Sequence, residues 1–305
     1  MKASSRRLWG ALAGIAISAV ALYLAFRGTN FAELRNTFRA TRIAPLLVAV
    51  ALSALSGVVR AIRWRALFAP GVDVSLRYYY TSLMIGYLGN NLLPVRAGDV
   101  IRTVLFGKRT SAGVGQAAAT LLVERLLDAI SLLAIAGILS FVVPLPPQLA
   151  PAARIAAVAC IVAFGILWRV AYTRRLPRFV QGLHAFRSVR SMAGALSYTG
   201  LIWIIEAMMV FMVMRSTSVA ASPLAALFLL VIVSLGLLLP AGPAAIGSYE
   251  LMAVIALSAF AIEKTEALAV AIVLHAMVFC SATTIGLLCL SVEGMTLQSL
   301  RRTAS

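Results

Sequence analysis

Amide, basic and acidic residues interrupt a strongly apolar stretch in the first third of the chain. They are Asn90, Asn91, Arg96, Asp99 and Arg102. A guanidinium group can bind two oxygens of one phosphate at once, and amide side chains can add further hydrogen bonds. We therefore predict that the two arginines and the two asparagines bind a phosphate-bearing group. The alternative is structural, with Arg96 extending to a charged surface and Asp99 capping the helix that follows.

A second group of charges follows at Glu124, Arg125 and Asp128. Glu124 and Asp128 are four residues apart, so they share one face of a helix and can both meet a cation. Because buried charges need partners, we predict that these three residues form a charge network with Asp99, facing a cavity. The alternative is that the apolar segment begins only at Leu126, which leaves Glu124 and Arg125 at its edge.

Three further ionisable residues lie in apolar stretches, namely Glu206, Glu250 and His275. Glu250 follows Gly247 and Ser248 at a predicted helix start, where a carboxylate suits the helix dipole without any further role. Because Glu250 also lies beside a chain break, we add it to the predicted charge network. Glu206 is either a proton or cation site or a partner for a distant arginine. His275 either relays protons or, more commonly for a lone histidine, hydrogen-bonds a neighbouring helix.

Composition places these residues in a membrane protein. Of 305 residues, 62% are hydrophobic and 12% charged, whereas soluble domains are about half apolar. The formal charge of +17 comes from arginines between apolar runs, without the basic and aromatic alternation of nucleic-acid surfaces, so we predict no nucleic-acid partner. The three cysteines lack paired metal-binding spacing, and we predict no metal and no cofactor. Nucleotide-binding, zinc-protease and serine-hydrolase motifs are absent, which favours a protein that is not an enzyme.

About eight apolar segments approach the ~20 residues that a helix needs to cross a bilayer. They are residues 8–26, 43–59, 117–143, 152–171, 192–214, 223–239, 249–262 and 267–291. We predict an all-α, polytopic membrane protein with about eight spans. It would form a single membrane domain over 1–305, in which 1–150 and 151–305 are candidate halves.

Arginine clusters predict the orientation of these spans. One side of the membrane can receive all of the clusters if the third and fourth spans form a hairpin. The positive-inside rule makes that side cytoplasmic and places both termini there, in the inner cell membrane. The clusters lie at residues 6–7, 60–65, 169–190 and 301–302.

Two segments have the pattern of interfacial structure. In the segment 27–42, Phe31, Leu34 and Phe38 recur at helical spacing, which predicts an amphipathic helix at the membrane surface. The basic and aromatic motif at 60–65 predicts an interfacial belt, or a surface that gathers anionic lipids.

Breaks that contain proline and glycine divide the apolar pattern at two places. The first contains Pro94 and Gly98 and lies between two arginine-rich segments that both belong on the cytoplasmic side, so the apolar run before it must turn back. The second contains Pro240, Gly242 and Gly247 and separates two short apolar segments. Unpaired backbone at membrane depth is tolerated only beside protein or a water-filled cavity, so we predict two re-entrant helical hairpins, hinged at these residues around a cavity. Their likeness suggests an inverted repeat of the kind found in transporters.

Four motifs, in their order, resemble one known family. They are RWR at 63–65, NLLPVRAGD at 91–99 followed by Arg102, ERLLD at 124–128, and residues 240–247 followed by Glu250. Together they resemble the flippase-like membrane domain of lysylphosphatidylglycerol synthases over nearly the whole chain. The resemblance implies an integral membrane fold with re-entrant helices and a role in binding or translocating lipids. Only a short tail follows Ser291, so we expect a stand-alone member without the aminoacyl-transferase domain that would make lysyl-lipid.

The resulting functional prediction is a lipid translocase that moves an anionic-headgroup lipid between leaflets. Stand-alone relatives are associated with lipid and polyprenyl-phosphate glycan pathways, so the lipid is either a phospholipid or linked to a polyprenyl phosphate. The alternatives are a membrane enzyme that modifies a lipid headgroup and a non-transporting subunit that recruits a glycosyltransferase through the basic loop at 169–190. Membrane lipids are the predicted partners, and a glycosyltransferase or lipid-modifying enzyme is a further candidate. The family's second break carries more glycine than residues 243–245 do here, so we expect gating to differ at that point.

Overall fold

The computed structural model describes residues 16–68, 71–93, 97–143, 149–173, 189–217, 219–220, 222–237, 243–298 and 300, and within these ranges the chain is helical and contains no strand. The helices of the first half are α1 (Ala16–Phe26), α2 (Phe31–Arg39), α3 (Ile43–Leu67), α4 (Leu76–Leu92), α5 (Ala97–Arg109) and α6 (Gly113–Leu139). Those of the second half are α7 (Leu149–Thr173), α8 (Val189–Ser216), α9 (Pro223–Gly236), α10 (Ser248–Ser258) and α11 (Lys264–Val292), with a 3₁₀ turn at Pro243–Ala245 before α10. The predicted all-α class is confirmed.

Within the described ranges, three helices are long and apolar enough to cross a membrane, namely α3, α8 and α11. Shorter apolar helical stretches lie at Ala16–Phe26, Ala153–Ile166, Pro223–Gly236 and Ser248–Ser258. Helix α6 runs for 27 residues, but it carries Glu124, Arg125 and Asp128 near its middle. The total of about eight spans stays a prediction based on segment length.

Two helices extend beyond the apolar segments from which they were predicted, and the extensions carry charged residues. Helix α3 does not end at residue 59 but continues to Leu67, so Arg60 and Arg63 lie on it rather than in a loop after it. Helix α6 begins at Gly113, so Glu124 and Arg125 lie well inside the helix, and the alternative in which the membrane-crossing part begins only at Leu126 stays open. Arginine and glutamate are good helix formers, so apolar content alone underestimates how far a helix with buried, paired charges extends.

The first of two compact units combines Met1–Ala54, Asn90–Arg96 and Ile205–Ser281. Its hydrophobic core includes Ala25, Leu34, Leu268 and Ala269. The ammonium group of Lys264 donates hydrogen bonds to the backbone oxygens of Leu24, at 3.0 Å, and Arg27, at 2.6 Å. These oxygens lie at the end of α1, where the last helical carbonyls have no partner within the helix. Lys264 therefore ties α1 to the start of α11.

Helix α2 in this unit has the amphipathic character that the sequence predicts. It begins after Asn30, whose side-chain oxygen accepts hydrogen bonds from the backbone N–H groups of Ala32 and Glu33, a favourable N-cap. Leu34 is buried in the core, whereas Phe31 and Phe38 are exposed. Two exposed aromatic rings on a short helix suit a membrane surface, where aromatic side chains concentrate.

The second unit combines Leu55–Gly89, Ala97–Ile204 and Ala282–Ser305. One core cluster is formed by Leu67, Val123, Leu127, Met192 and Ala195. Helices α6 and α7 approach closely at Gly137, where an added Cβ would lie 2.6 Å from the side chain of Ala157. Small residues allow such close packing between helices in membranes, where apolar burial itself supplies little driving force.

The first predicted break is present as a pair of tightly packed helices within the second unit. A Cβ at Gly89 on α4 would lie 2.8 Å from the Cα of Gly98 on α5, and one at Gly86 would lie 3.0 Å from the Cβ of Arg102. A side chain at Gly89 would clash with a backbone atom, and one at Gly86 would require its neighbours to shift by a few tenths of an ångström. Glycine therefore sets the approach of α4 to α5. Gly98 lies within α5, so it serves this contact, whereas Pro94 falls outside the described residues.

The second predicted break is present within the first unit, between α9 and α10. These helices have 14 and 11 residues, hence lengths of about 21 and 16 Å, against a bilayer core of about 30 Å. Ser222 caps α9 by accepting a hydrogen bond from the backbone N–H of Ala225 at 3.0 Å. Each helix is too short to cross alone, as the sequence predicts for an interrupted segment. Pro240 and Gly242 fall outside the described residues.

Candidate functional site

A buried cluster of charges lies in the second unit, on helices α3, α5 and α6. We call it the arginine–carboxylate cluster and define it as Arg60, Arg63, Arg102, Glu124 and Asp128. Arg63 and Arg102 are 0% exposed and Glu124 is 1% exposed. Charged side chains are almost never fully buried unless they are paired, so the pairing of these groups decides whether the unit is stable.

Arg63 contacts both carboxylates of the cluster and a hydroxyl group on a third helix. It donates from Nη1 to Asp128 Oδ1 at 2.5 Å and from Nη2 to Asp128 Oδ2 at 3.3 Å. Its Nη1 also donates to the hydroxyl of Thr199 on α8 at 3.0 Å. Two parallel N–H···O contacts are the strong form of an arginine–carboxylate pair. Arg63 thereby links α3 to α6 and α8.

Glu124 lies between two guanidinium groups. Its Oε1 is 3.3 Å from Arg63 Nη2 and 3.2 Å from Arg102 Nη2. The other carboxylate oxygen, Oε2, is buried and has no hydrogen-bond partner among the described residues, and the same holds for Nε and Nη1 of Arg102. Leaving a buried donor or acceptor unsatisfied costs about 1–3 kcal/mol, and more for a charged group. The cluster therefore retains hydrogen-bonding capacity that the described protein groups do not use.

Aromatic side chains surround the buried arginines. The guanidinium carbon of Arg102 lies 4.9 Å from the ring centre of Trp64, and the guanidinium carbon of Arg60 lies 6.0 Å from that of Trp203. The indole N–H of Trp64 donates to the hydroxyl of Thr120 at 3.1 Å. A cation over an aromatic face is stabilised by the ring's electron distribution, most strongly when water is excluded. Trp64 therefore holds Arg102 electrostatically and by packing.

A second ion pair joins α5 to α6 on the same unit. Arg125 donates from Nη2 to both carboxylate oxygens of Asp99, at 2.7 and 2.9 Å. Asp99 lies in the first turn of α5, which begins at Ala97. The alternative prediction that Asp99 is the N-cap residue of this helix is therefore wrong. The carboxylate is oriented by a cation from the next helix instead.

The cluster and this pair together carry more positive than negative charge. Within the described part of the chain, four guanidinium groups (Arg60, Arg63, Arg102, Arg125) meet three carboxylates (Asp99, Glu124, Asp128). A bound anion would balance this excess, whereas a cation would increase it. The chemistry that the cluster favours is therefore the binding of a phosphate or another oxyanion.

Most of the predicted charge network is brought together, with two cations that the prediction did not include. Asp99, Glu124, Arg125 and Asp128 lie in ion pairs of the second unit. The two added cations are Arg63 and Arg60, both of which contact Asp128, Arg60 at 3.6 Å. The prediction of an interfacial belt at 60–65 is wrong for Arg63 and Trp64, which are fully buried. The sequence alone could have indicated this pairing. The two carboxylates require cations, and Arg60 and Arg63 are three residues apart and therefore share one helix face.

Three of the four predicted phosphate-binding residues are described, and they are divided between the two units. Arg102 lies in the arginine–carboxylate cluster of the second unit, whereas Asn90 and Asn91 belong to the first unit. There Asn91 donates from Nδ2 to the backbone oxygen of Phe279 on α11 at 3.3 Å. Arg96 lies outside the described residues. The phosphate-binding role of all four residues stays a prediction.

Glu250 belongs to a separate polar site in the first unit, which we call the Glu250–His275 site. Its Oε1 lies 2.6 Å from Nδ1 of His275 on α11, and its Oε2 accepts a hydrogen bond from the backbone N–H of Gly247 at 2.6 Å. The second contact is the glutamate half of a capping box at the start of α10. His275 Nε2 lies 2.9 Å from the backbone oxygen of Ala244. His275 thus bonds a neighbouring helix, which is the commoner of the two alternatives weighed from its sequence position.

The backbone beside this site is strained. Ala244 and Ala245 have φ angles of 54° and 56°, in the left-handed region that costs a residue with a Cβ roughly 1–2 kcal/mol. Gly247 has φ 90°, and a Cβ there would clash with the backbone oxygen of Ser18 on α1. Such strain persists only where surrounding contacts impose it. The hydrogen bond from His275 to Ala244 is one such contact.

Among the described residues, no three histidine, cysteine, aspartate or glutamate side chains are placed to hold a metal ion. The acidic groups of the two sites are engaged with arginine or histidine instead.

Fold and sites define an α-helical membrane protein with interrupted helices and buried, paired charges. The sequence model of the family described as "Lysylphosphatidylglycerol synthase TM region" matches residues 11–286. The chain therefore belongs to this family, as its motifs indicate, and a membrane lipid-related function follows from that membership. A comparison with curated proteins finds no match.

Proposed function

We propose that this protein is a lipid translocase that moves a lipid with an anionic, phosphate-bearing headgroup between the leaflets of the inner membrane. The proposal rests on the hydrogen bonding of Arg102. Its side chain is 0% exposed and donates one hydrogen bond, from Nη2 to Glu124. Its Nε and Nη1 have no partner among the described residues. A buried arginine with unused donors on an interrupted helical hairpin suits an anionic ligand that arrives from elsewhere.

The charge balance supports an anion rather than a cation or a neutral lipid. Arg60, Arg63 and Arg125 reinforce the positive field around Arg102, while Glu124 binds one side of its guanidinium group. Phosphate oxygens accept paired hydrogen bonds from arginine in the same geometry as carboxylates do. A lipid phosphate could therefore replace Glu124 as the acceptor of Arg102 without leaving a buried cation unpaired.

Headgroup binding requires movement, because Arg102 is fully buried in the conformation described. Glycines at 86, 89 and 98 keep α4 and α5 in close contact, so the two helices would move together as one hairpin relative to α6. In transporters, alternating access is largely the rocking of one such bundle against another. A ligand shifts a conformational equilibrium only if it binds one conformation more tightly than the other. A lipid phosphate would bind more tightly to the conformation in which Arg102 has exchanged Glu124 for the phosphate.

Transport can be measured in proteoliposomes that contain a fluorescent phosphatidylglycerol in both leaflets. A membrane-impermeant quencher reports how much label reaches the outer leaflet, and a fluorescent phosphatidylcholine tests the preference for anionic headgroups. We expect Arg102→Gln to abolish exchange of the anionic lipid. The matched control is Arg109→Gln on the same helix, whose arginine is 46% exposed and pairs with Glu293, and this variant should transport like the wild type.

Each competing function predicts a different result. If neither phosphatidylglycerol nor a labelled polyprenyl phosphate changes leaflet with wild-type protein present, the translocase proposal is wrong. A headgroup of altered mass after incubation would favour a lipid-modifying enzyme. Co-purification of a glycosyltransferase, combined with unchanged leaflet asymmetry, would favour a non-transporting subunit.

A further inference from the structure

Both ring nitrogens of His275 are engaged by oxygen atoms. Nε2 lies 2.9 Å from the backbone oxygen of Ala244, and Nδ1 lies 2.6 Å from Oε1 of Glu250. A carbonyl oxygen can only accept, so the contact with Ala244 requires a hydrogen on Nε2. With that hydrogen on Nε2, neutral histidine presents a lone pair at Nδ1.

The contact with Glu250 then requires one more hydrogen. A lone pair at Nδ1 cannot bond an ionised carboxylate, because both atoms would be acceptors. The hydrogen lies either on Nδ1, giving an imidazolium beside a carboxylate, or on Oε1, giving neutral histidine beside a carboxylic acid. In both forms the pair holds one proton more than neutral histidine and ionised glutamate together. The geometry described is that of the proton-loaded pair.

We propose that Glu250 and His275 form a site that binds and releases one proton between Oε1 and Nδ1, and that this proton keeps the chain in place at Ala244 before α10. When the proton leaves to water, two acceptor atoms face each other at a distance where they repel. Either the imidazole turns, or its remaining hydrogen moves to Nδ1 and bonds Glu250. In both cases Nε2 no longer donates to Ala244. The strained backbone of Ala244 and Ala245 loses a contact that imposes its conformation, so residues 243–247, directly before α10, are released.

Neighbouring groups limit what else could titrate here. The ring of Tyr249 stacks on that of His275, with centroids 4.3 Å apart, and Glu206 on α8 lies within electrostatic range of Tyr249. The backbone N–H of Gly247 donates to the second oxygen of Glu250, so the carboxylate stays anchored while the histidine moves. Glu206 is the alternative titrating group that a test has to separate from the pair.

Release of the backbone at Ala244 can be measured directly, without any assay of lipid transport. Hydrogen–deuterium exchange of the intact protein in nanodiscs, read from peptides that cover residues 243–252, is compared at about pH 5 and pH 8, the range in which histidine normally changes charge. After correction for the intrinsic pH dependence, wild-type exchange in this segment should rise by about tenfold at the higher pH, the effect of losing one hydrogen bond to a charged group. Peptides from α3 should show no such rise.

Two variants should respond in opposite directions. Glu250→Gln replaces the proton-bearing oxygen by an amide that always donates to Nδ1, so its exchange should stay slow at both pH values. His275→Ala removes the donor to Ala244, so its exchange should be fast at both. Glu206→Gln serves as the control and should keep the wild-type pH dependence.

Three results would contradict a proton site at Glu250 and His275. A wild-type segment whose corrected exchange is the same at both pH values would overturn the proposal, even if His275→Ala does not fold. So would a Glu250→Gln variant that retains the pH dependence, or a Glu206→Gln variant that loses it, since the proton would then lie elsewhere.

Discussion

Arg63 on α3 and Asp128 on α6 are joined by two nitrogen–oxygen contacts, of 2.5 and 3.3 Å, across 65 residues of sequence. Arg63 is completely buried, and its other carboxylate contact, Glu124, is also buried. The helices of the second unit are therefore held by charges that water does not screen. Removing Arg63 takes a cation from two buried carboxylates, and losing one partner of a buried ion pair costs more than the pair itself contributes.

Replacement of Arg63 by the apolar methionine should strongly destabilise the second unit. Asp128 and Glu124 lose a cation at 2.5 and 3.3 Å, and breaking a buried pair in this way costs about 3–5 kcal/mol. The free energy of unfolding can be measured in detergent micelles by titration with a denaturing detergent. The control is Arg109→Met, whose half-exposed pair with Glu293 should contribute only about 0–1 kcal/mol. Equal losses in the two variants would contradict a stabilising role for the buried cluster.

Removal of Asp128 together with Arg63 should cost less than the sum of the two single changes. In the double variant Arg63→Met, Asp128→Leu, neither group is left as an unpaired buried charge opposite the other. We expect a coupling energy of about 0.5–3 kcal/mol from the double-mutant cycle, as for residues in one ion-pair network. The same denaturation experiment provides it. Strict additivity would show that Glu124 and Thr199, rather than Asp128, are the important partners of Arg63.

Gly89→Ala should force α4 and α5 apart. The new methyl group would lie 2.8 Å from the Cα of Gly98, a backbone atom that cannot turn aside. Overpacking of this kind typically costs about 1–3 kcal/mol. The matched control is Gly200→Ala in α8, where no atom lies within 4 Å of an added Cβ and where alanine should stabilise the helix by up to about 1 kcal/mol. Melting temperatures of the two variants should therefore shift in opposite directions, and a fall in both would indicate a general cost of the substitution.

Gly247→Ala should lower the free energy of unfolding by more than the cost of a positive φ angle at a residue with a Cβ. Gly247 has φ 90° and faces the backbone oxygen of Ser18, whereas Gly28 has φ 76° and open space around it. Both substitutions incur the left-handed penalty of roughly 1–2 kcal/mol, but only Gly247→Ala adds a clash with α1. The difference in unfolding free energy between the two variants measures the clash. If Gly28→Ala is equally destabilising, the contact with α1 is not tight.

Helices, breaks and the presence of a charge network could be predicted from the sequence because each depends on local pattern. Apolar runs near the length of a bilayer predict helices, and proline with glycine predicts the interruptions found between α4 and α5 and between α9 and α10. The spacing of Glu124 and Asp128 places both on one helix face. These conclusions require no knowledge of which helices are neighbours.

Only the tertiary structure decided which partner each charge takes. Arg63 pairs with Asp128 across 65 residues, Arg102 with Glu124 across 22, and His275 with Glu250 across 25. Helical periodicity fixes the face on which a side chain lies, but the packing of one helix on another sets the register and crossing angle that bring two faces together. That is why the sequence predicts a surface position for Arg63 and Trp64, whereas the packed helices bury both residues at the centre of the arginine–carboxylate cluster.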